Sequence, residues 1–117
     1  MIAAPERFSP TGRRLVAASG NELLLSAVSV WEIAIKWSLK KLPLPAAPDT
    51  LVPEWISRTA VTPLPVLHAH ALRVAALPPH HRDPFDRLLV AQAQIEEIPI
   101  LTSDRIFERY GVRVRRP

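Results

Sequence analysis

The stretch that decides the fold is LLLSAVSVWEIAIKWSL, residues 23–39. Its first three residues form an apolar run with the length of a buried strand. The residues after them predict a strongly apolar helix over 26–39, whose polar positions form one narrow stripe: Ser29, Glu32, Lys36 and, just beyond it, Lys40. The rest of the helix surface is expected to face protein. A buried strand that leads directly into such a helix is typical of a layered α/β fold.

The same alternation of helices and strands continues on both sides of this stretch. Helix-start signals and apolar patterns predict helices from Ser9-Pro10, from Asp49 to Arg58, over 67–77, from Asp83-Pro84 to Glu97, and from Asp104 to Arg109. Short apolar runs predict strands at 61–64, 99–101 and 112–114. Pro63 places the first of these at an edge of the sheet. Strands that alternate with helices predict a mostly parallel sheet flanked by helices.

Composition excludes several classes of protein. With 117 residues the chain fits a single domain over residues 1–117. It has no cysteine, no apolar run long enough to span a membrane, and no sign of a secretion signal, so we expect a cytoplasmic protein. Gly-rich phosphate loops are absent from the sequence. The net charge of +4 favours a polyanionic partner, although many soluble domains are mildly basic.

Three acidic residues lie near predicted strand ends, where α/β sheets place their sites: Glu32, Asp86 and Asp104. Each has a simple structural explanation. Glu32 can form a surface ion pair with Lys36, four residues on. Asp86 can complement the dipole of its helix, and Asp104 can cap the helix after it. Together, three carboxylates also suit Mg²⁺ or Mn²⁺, which can activate water for attack on a phosphodiester.

Three separated motifs resemble the PIN-domain family and, within it, the VapC-type toxins of bacterial toxin–antitoxin pairs. The motifs are LSAVSVWEIAIK at 25–36, HHRDPFDRLLVAQA at 80–93 and LTSDRIF at 101–107. Their order and spacing match over essentially the whole chain. The resemblance implies a three-layer PIN-like fold and a ribonuclease that cleaves RNA with Mg²⁺ or Mn²⁺. It also implies a homodimer that a cognate antitoxin neutralises.

The resemblance also implies roles for individual residues. Glu32, Asp86 and Asp104 match the family's metal-binding and catalytic acids. The accessory positions are Asp83 and the hydroxyl residues Thr102 and Ser103. For Asp83 we favour the role of a helix cap over that of a metal ligand. Arg87 and Lys36 are the candidates for contact with RNA.

The sequence departs from the family pattern at its N-terminus. The family begins with a central strand that ends in an aspartate, and Met1 falls where the family is already inside its first helix. We therefore expect the first central strand and one acid to be missing, which predicts weak metal binding and little ribonuclease activity for the chain as written. The alternative function is an inactive PIN-domain remnant that only binds antitoxin or RNA.

Two tryptophans on the predicted helix at 26–39 are candidates for either core packing or base stacking. Trp31 and Trp37 are six residues apart and do not share a helix face. Since the helix is apolar on most of its surface, we expect both indoles to pack in the core.

Overall fold

The structure of the protein, a computed structural model, describes residues 1–3, 22–59, 61–79, 83–102 and 104–115. The helix predicted from Ser9-Pro10, the His80-His81 pair and Ser103 lie outside the described residues. Among the described residues, every helix is too short or too polar to cross a bilayer.

In the described part of the chain, five strands form one parallel sheet in the order β3-β2-β1-β4-β5. The strands are β1 (Ile2–Ala3), β2 (Leu23–Ser26), β3 (Val61–Leu64), β4 (Ile100–Leu101) and β5 (Val114–Arg115). The fold class predicted from the sequence is therefore confirmed. Pro63 does lie in an edge strand, because β3 pairs only with β2 in this order. An edge tolerates proline since its missing N–H faces no partner strand.

The predicted absence of the central strand is wrong. The segment Ile2–Ala3 fills that position and pairs in parallel with β2 on one side and β4 on the other. Both side chains are fully buried. Two residues are too few to show any periodicity, and only the two neighbouring strands give this segment its place. The described residues 1–3 nevertheless contain no acid, so β1 itself contributes no carboxylate.

Helices cover both faces of the sheet. They are α1 (Ala27–Ser38), α2 (Pro48–Arg58), α3 (His68–Arg73) and α4 (Pro84–Glu96), with 3₁₀ helices at Val74–Ala76 and Arg105–Tyr110. The predicted starts of α1 and α4 are confirmed to within a residue. The cap of α2 is Ala47, not Asp49, because Pro48 already occupies the first helical position. The helix predicted over 67–77 ends at Arg73 and continues as 3₁₀ turns.

The strand alternation divides the core into two layers. Ile2 lies in a cluster with Val28 of α1 and Leu89 of α4. Ala3, the next residue, lies on the other face of the sheet with Leu25 and with Val52 of α2. Side chains of successive strand residues point to opposite faces. The result is the three-layer arrangement of helix, sheet and helix that the resemblance implies.

A chain of polar contacts links the end of β2 to α4 and to the segment between β3 and α3. The Ser26 hydroxyl donates to Gln92 Oε1 at 2.5 Å and accepts from the Val28 N–H at the start of α1. The Gln92 amide donates to the Pro65 carbonyl at 3.1 Å. Gln92 is fully buried, so these bonds are the ones that offset the cost of removing its amide from water. They set α4, and with it the candidate site, against the end of β2.

Candidate metal site

Three carboxylates come together where α1 and α4 meet: Glu32, Asp83 and Asp86. Each offers an oxygen atom, and these oxygens all lie within 4.8 Å of one another. We call this group the acid cluster. Two of its members, Glu32 and Asp86, are acids that the sequence singled out. Their positions in the chain are 54 residues apart, so only the tertiary fold brings them into contact range.

Glu32 reaches the cluster because α1 begins directly after β2. Ser26 ends the strand and caps the helix, which makes Glu32 the sixth helical residue. Its side chain is buried, with 5% of the residue exposed. The Lys36 ammonium lies 3.3 Å from Glu32 Oε2. The expected ion pair is therefore present, but the simple explanation of a surface glutamate does not hold. A carboxylate this buried is costly unless it is paired, and Lys36 supplies the pairing charge.

Asp83 and Asp86 are placed by the first turn of α4. Asp83 is its N-cap, with Oδ1 accepting from the N–H groups of Phe85 at 2.9 Å and Asp86 at 3.2 Å. Asp86 follows as the third helical residue, where the positive end of the helix dipole favours a carboxylate. Asp83 Oδ2 makes no hydrogen bond to the described residues. Asp83 therefore caps the helix through one oxygen. It is also a member of the acid cluster, where its carboxylate can still bind a cation.

The cluster concentrates negative charge. The three oxygens lie within 4.8 Å of one another, and at an effective dielectric constant of about 20 two unit charges at that distance repel by about 3.5 kcal/mol. The Lys36 ammonium and the N-terminus of α4 offset part of this repulsion. A divalent cation would offset more of it, and carboxylate oxygens are the ligands that Mg²⁺ and Mn²⁺ prefer. The residues present therefore fit a hard divalent cation.

Asp104 follows the end of β4 but is not a member of the acid cluster. Its backbone N–H donates to Thr102 Oγ1 at 3.1 Å, and its Oδ1 accepts from the Ile106 N–H at 3.0 Å. It caps the 3₁₀ helix that starts at Arg105, which is the structural explanation considered above. Asp104 is exposed and Thr102 is fully buried. A metal-binding role for Asp104, and a role for Thr102 beside the site, stay predictions.

The two candidate RNA contacts have different surroundings. Lys36 is half exposed beside Glu32. The Arg87 guanidinium instead donates to the carbonyls of Pro78 at 2.9 Å and Val74 at 3.2 Å. These bonds connect α4 to the segment after α3. They give Arg87 a structural role, and contact of either side chain with RNA stays a prediction.

Trp31 does not pack in the core as expected, and it is 53% exposed. Its indole meets the Phe85 ring edge to face, with centroids 4.7 Å apart and planes at 73°. Trp37 is also exposed, at 40%. The prediction failed because hydrophobic residues cover more than the inner face of α1, while the buried face includes the polar residues Ser29 and Glu32.

The fold and the acid cluster together define an α/β domain with a candidate metal site beside the ends of its parallel strands. The PIN domain family model matches residues 3–113 of this sequence. The chain belongs to the PIN domain family.

A curated relative and several solved structures resemble the chain. Ribonuclease VapC16 of Mycobacterium tuberculosis is 47% identical over 58 residues, which cover 50% of this chain and 41% of that protein. The matched segment thus spans less than half the length of that relative.

The DNA-bound VapBC complex of Salmonella typhimurium matches at a TM-score of 0.72 with 17% identity, covering 98% of this chain and 96% of that one. VapBC2 of Rickettsia felis, bound to a promoter DNA fragment, matches at 0.71 with 11% identity, covering 99% and 97%. At these identities the structures confirm the fold.

Proposed function

We propose that the chain is the PIN domain of a metal-dependent ribonuclease toxin of the VapC type. The acid cluster is the observation that supports this most directly, because it occurs at the C-terminal edge of the sheet in a PIN-family chain. RNA is the proposed substrate, and the name of the VapC16 relative supports that choice. The cytoplasm is the proposed location.

The proposed cofactor is Mg²⁺ or Mn²⁺, held by Glu32 and Asp86 with Asp83 as the third carboxylate. Asp104 remains a proposed ligand that would act from the next strand end, directly or through water. When bound, such an ion lowers the pKa of a coordinated water and stabilises charge on a phosphodiester. Glu32 is held in place by burial and by Lys36, and Asp83 by its two backbone N–H donors. The chain thus presents its ligands in a fixed arrangement, which favours positioning of the reacting groups.

The proposed protein partners are a cognate antitoxin and a second copy of the chain. The solved relatives are VapBC complexes, which supports an antitoxin partner. The described residues also leave large apolar side chains exposed to water, with Leu39 58% and Leu67 53% exposed. Association with a protein partner would remove such surface from water.

Purified protein tests the metal and the chemistry separately. We expect Mn²⁺ to raise the melting temperature of the wild-type chain and to support slow, EDTA-sensitive cleavage of single-stranded RNA. Asp86→Asn should lose both effects because it removes a ligand charge and keeps the side-chain shape. Asp49→Asn, at an exposed carboxylate of α2 outside the cluster, is the matched control and should behave as wild type. Cleavage that persists in EDTA and in Asp86→Asn would contradict a metal mechanism.

One observation favours the alternative of a PIN domain that only binds. The resemblance implies a four-acid site, whereas within the described part of the chain the acid cluster has three members and residues 1–3 contain no carboxylate. Fewer acids weaken attraction for a divalent ion. A metal-dependent rise in melting temperature without any RNA cleavage would support this second function.

A further inference from the structure

Trp31 is an exposed aromatic side chain at the rim of the acid cluster. The next residue in the chain is Glu32, a member of the cluster. The ring partner of Trp31 is Phe85, which lies between Asp83 and Asp86 in the chain. The Phe85 backbone N–H donates to Asp83 Oδ1 at 2.9 Å. The contact with Phe85 thus places the Trp31 indole beside the first turn of α4, which carries Asp83 and Asp86.

The contact with Phe85 limits the orientation of the indole and covers only part of it. An edge-to-face contact uses the edge of one ring and one face of the other. Phe85 therefore leaves at least one face of the Trp31 indole uncovered, and the side chain is 53% exposed. A half-buried phenyl ring behind it limits the orientations that the indole can adopt. Such an ordered, open aromatic face is what stacking on a planar ring requires.

We propose that Trp31 is a stacking platform for one nucleobase of single-stranded RNA, next to the phosphate that a cation held by the acid cluster would engage. This inference rests on the proposed function and adds a base-binding subsite to it. Stacking on an aromatic side chain tolerates all four bases because each base has a π face. The subsite therefore sets the register of the RNA strand on the cluster and does not select its sequence.

A nucleobase suits this position better than an apolar patch of a protein partner. A stacked base covers the indole while its polar edges and its sugar–phosphate chain remain in water. An apolar protein surface over Trp31 would have to pack beside Asp83 and Asp86, which are half-buried, and would offer these carboxylates no hydrogen-bond donor.

Binding of short RNAs that lack a single base tests the proposal. A fluorescently labelled single-stranded RNA is titrated in Mn²⁺ at low temperature, and gels of the same samples verify that it stays intact. The series replaces each nucleotide in turn by an abasic one. For wild type we expect removal of one particular base to weaken binding about tenfold, within the range of base–aromatic stacking. Removal of the other bases should have smaller effects.

Variants of the chain identify the ring responsible. Trp31→Ala should bind the complete RNA about tenfold more weakly and should no longer respond to loss of that base. Trp31→Phe keeps an aromatic face and should restore part of both effects, which separates stacking from any loss of packing on Phe85. Trp37→Ala, another exposed tryptophan of the same helix, is the matched control and should match wild type.

The inference and the proposed function can fail independently. A flat response to the abasic series in wild type, alongside intact Mn²⁺ binding and cleavage, would overturn the stacking subsite alone. Wild-type RNA affinity in Trp31→Ala together with a changed sedimentation coefficient would also overturn it, because it would show that Trp31 contacts protein. Loss of one base's contribution in Trp31→Ala supports the subsite even if no cleavage is observed.

Discussion

Asp83 has two roles that one substitution can separate. Asparagine is as good an N-cap as aspartate, so Asp83→Asn can keep the hydrogen bonds from the Phe85 and Asp86 N–H groups. It removes the negative charge that would bind a cation. Any change in metal response then reports on the ligand role, while the start of α4 stays intact.

The structure gives a sign and a size for the effect. Without metal, the substitution removes the repulsion between Asp83 and the other two carboxylates, whose oxygens lie within 4.8 Å; at an effective dielectric constant of about 20, two unit charges at 4.8 Å repel by about 3.5 kcal/mol. Asp83 and Asp86 are only half-buried, so water screens their interaction and we expect a net gain of about 1 kcal/mol. For a domain of this size that raises the melting temperature by about 4 °C. With saturating Mn²⁺ we expect Asp83→Asn to melt below wild type. A tenfold loss of Mn²⁺ affinity removes about 1.4 kcal/mol of the stabilisation that the bound ion gives, which exceeds the gain of about 1 kcal/mol.

Thermal unfolding followed by circular dichroism measures both quantities on the same samples. Asp83→Asn should melt above wild type in EDTA and should gain less than wild type from Mn²⁺. Asp83→Ala provides the comparison, since it also loses the cap and with it about 1 kcal/mol under both conditions. An equal Mn²⁺-induced shift in Asp83→Asn and wild type would refute the ligand role and leave Asp83 as a cap only.

Two further substitutions test the fold, with Leu72→Ala on the exposed surface as a neutral control in chemical denaturation. Gln92→Leu leaves the fully buried Ser26 hydroxyl without its acceptor, so we expect a loss of roughly 1–3 kcal/mol. An unchanged unfolding midpoint would show that this polar chain is not needed. Ile2→Ala empties a fully buried position of the central strand and should lower the free energy of unfolding by about 3 kcal/mol. A decrease as small as that of Leu72→Ala would mean that β1 does not fill the centre of the sheet.

The sequence by itself predicted the layers of the fold and the starts of its main helices. These features depend on local chemistry, such as the apolar run at 23–25 and the Asp83-Pro84 pair that caps α4. It also singled out Glu32 and Asp86, two of the three acids that the structure brings together, because an acid at helical spacing in an apolar stretch and an acid in a first turn are visible in the chain. The PIN resemblance followed from motifs of the same local kind.

Only the tertiary structure decided which acids meet. Asp83 and Asp104 are both helix caps with the same local signature, yet Asp83 joins the acid cluster and Asp104 does not. The difference depends on how α1 packs against α4, which no short segment encodes. The same packing leaves Trp31 in water and buries Glu32, the reverse of what their hydropathies suggest. β1 likewise acquires its central place from β2 and β4, because two residues have no pattern of their own and are ordered only by the strands on either side.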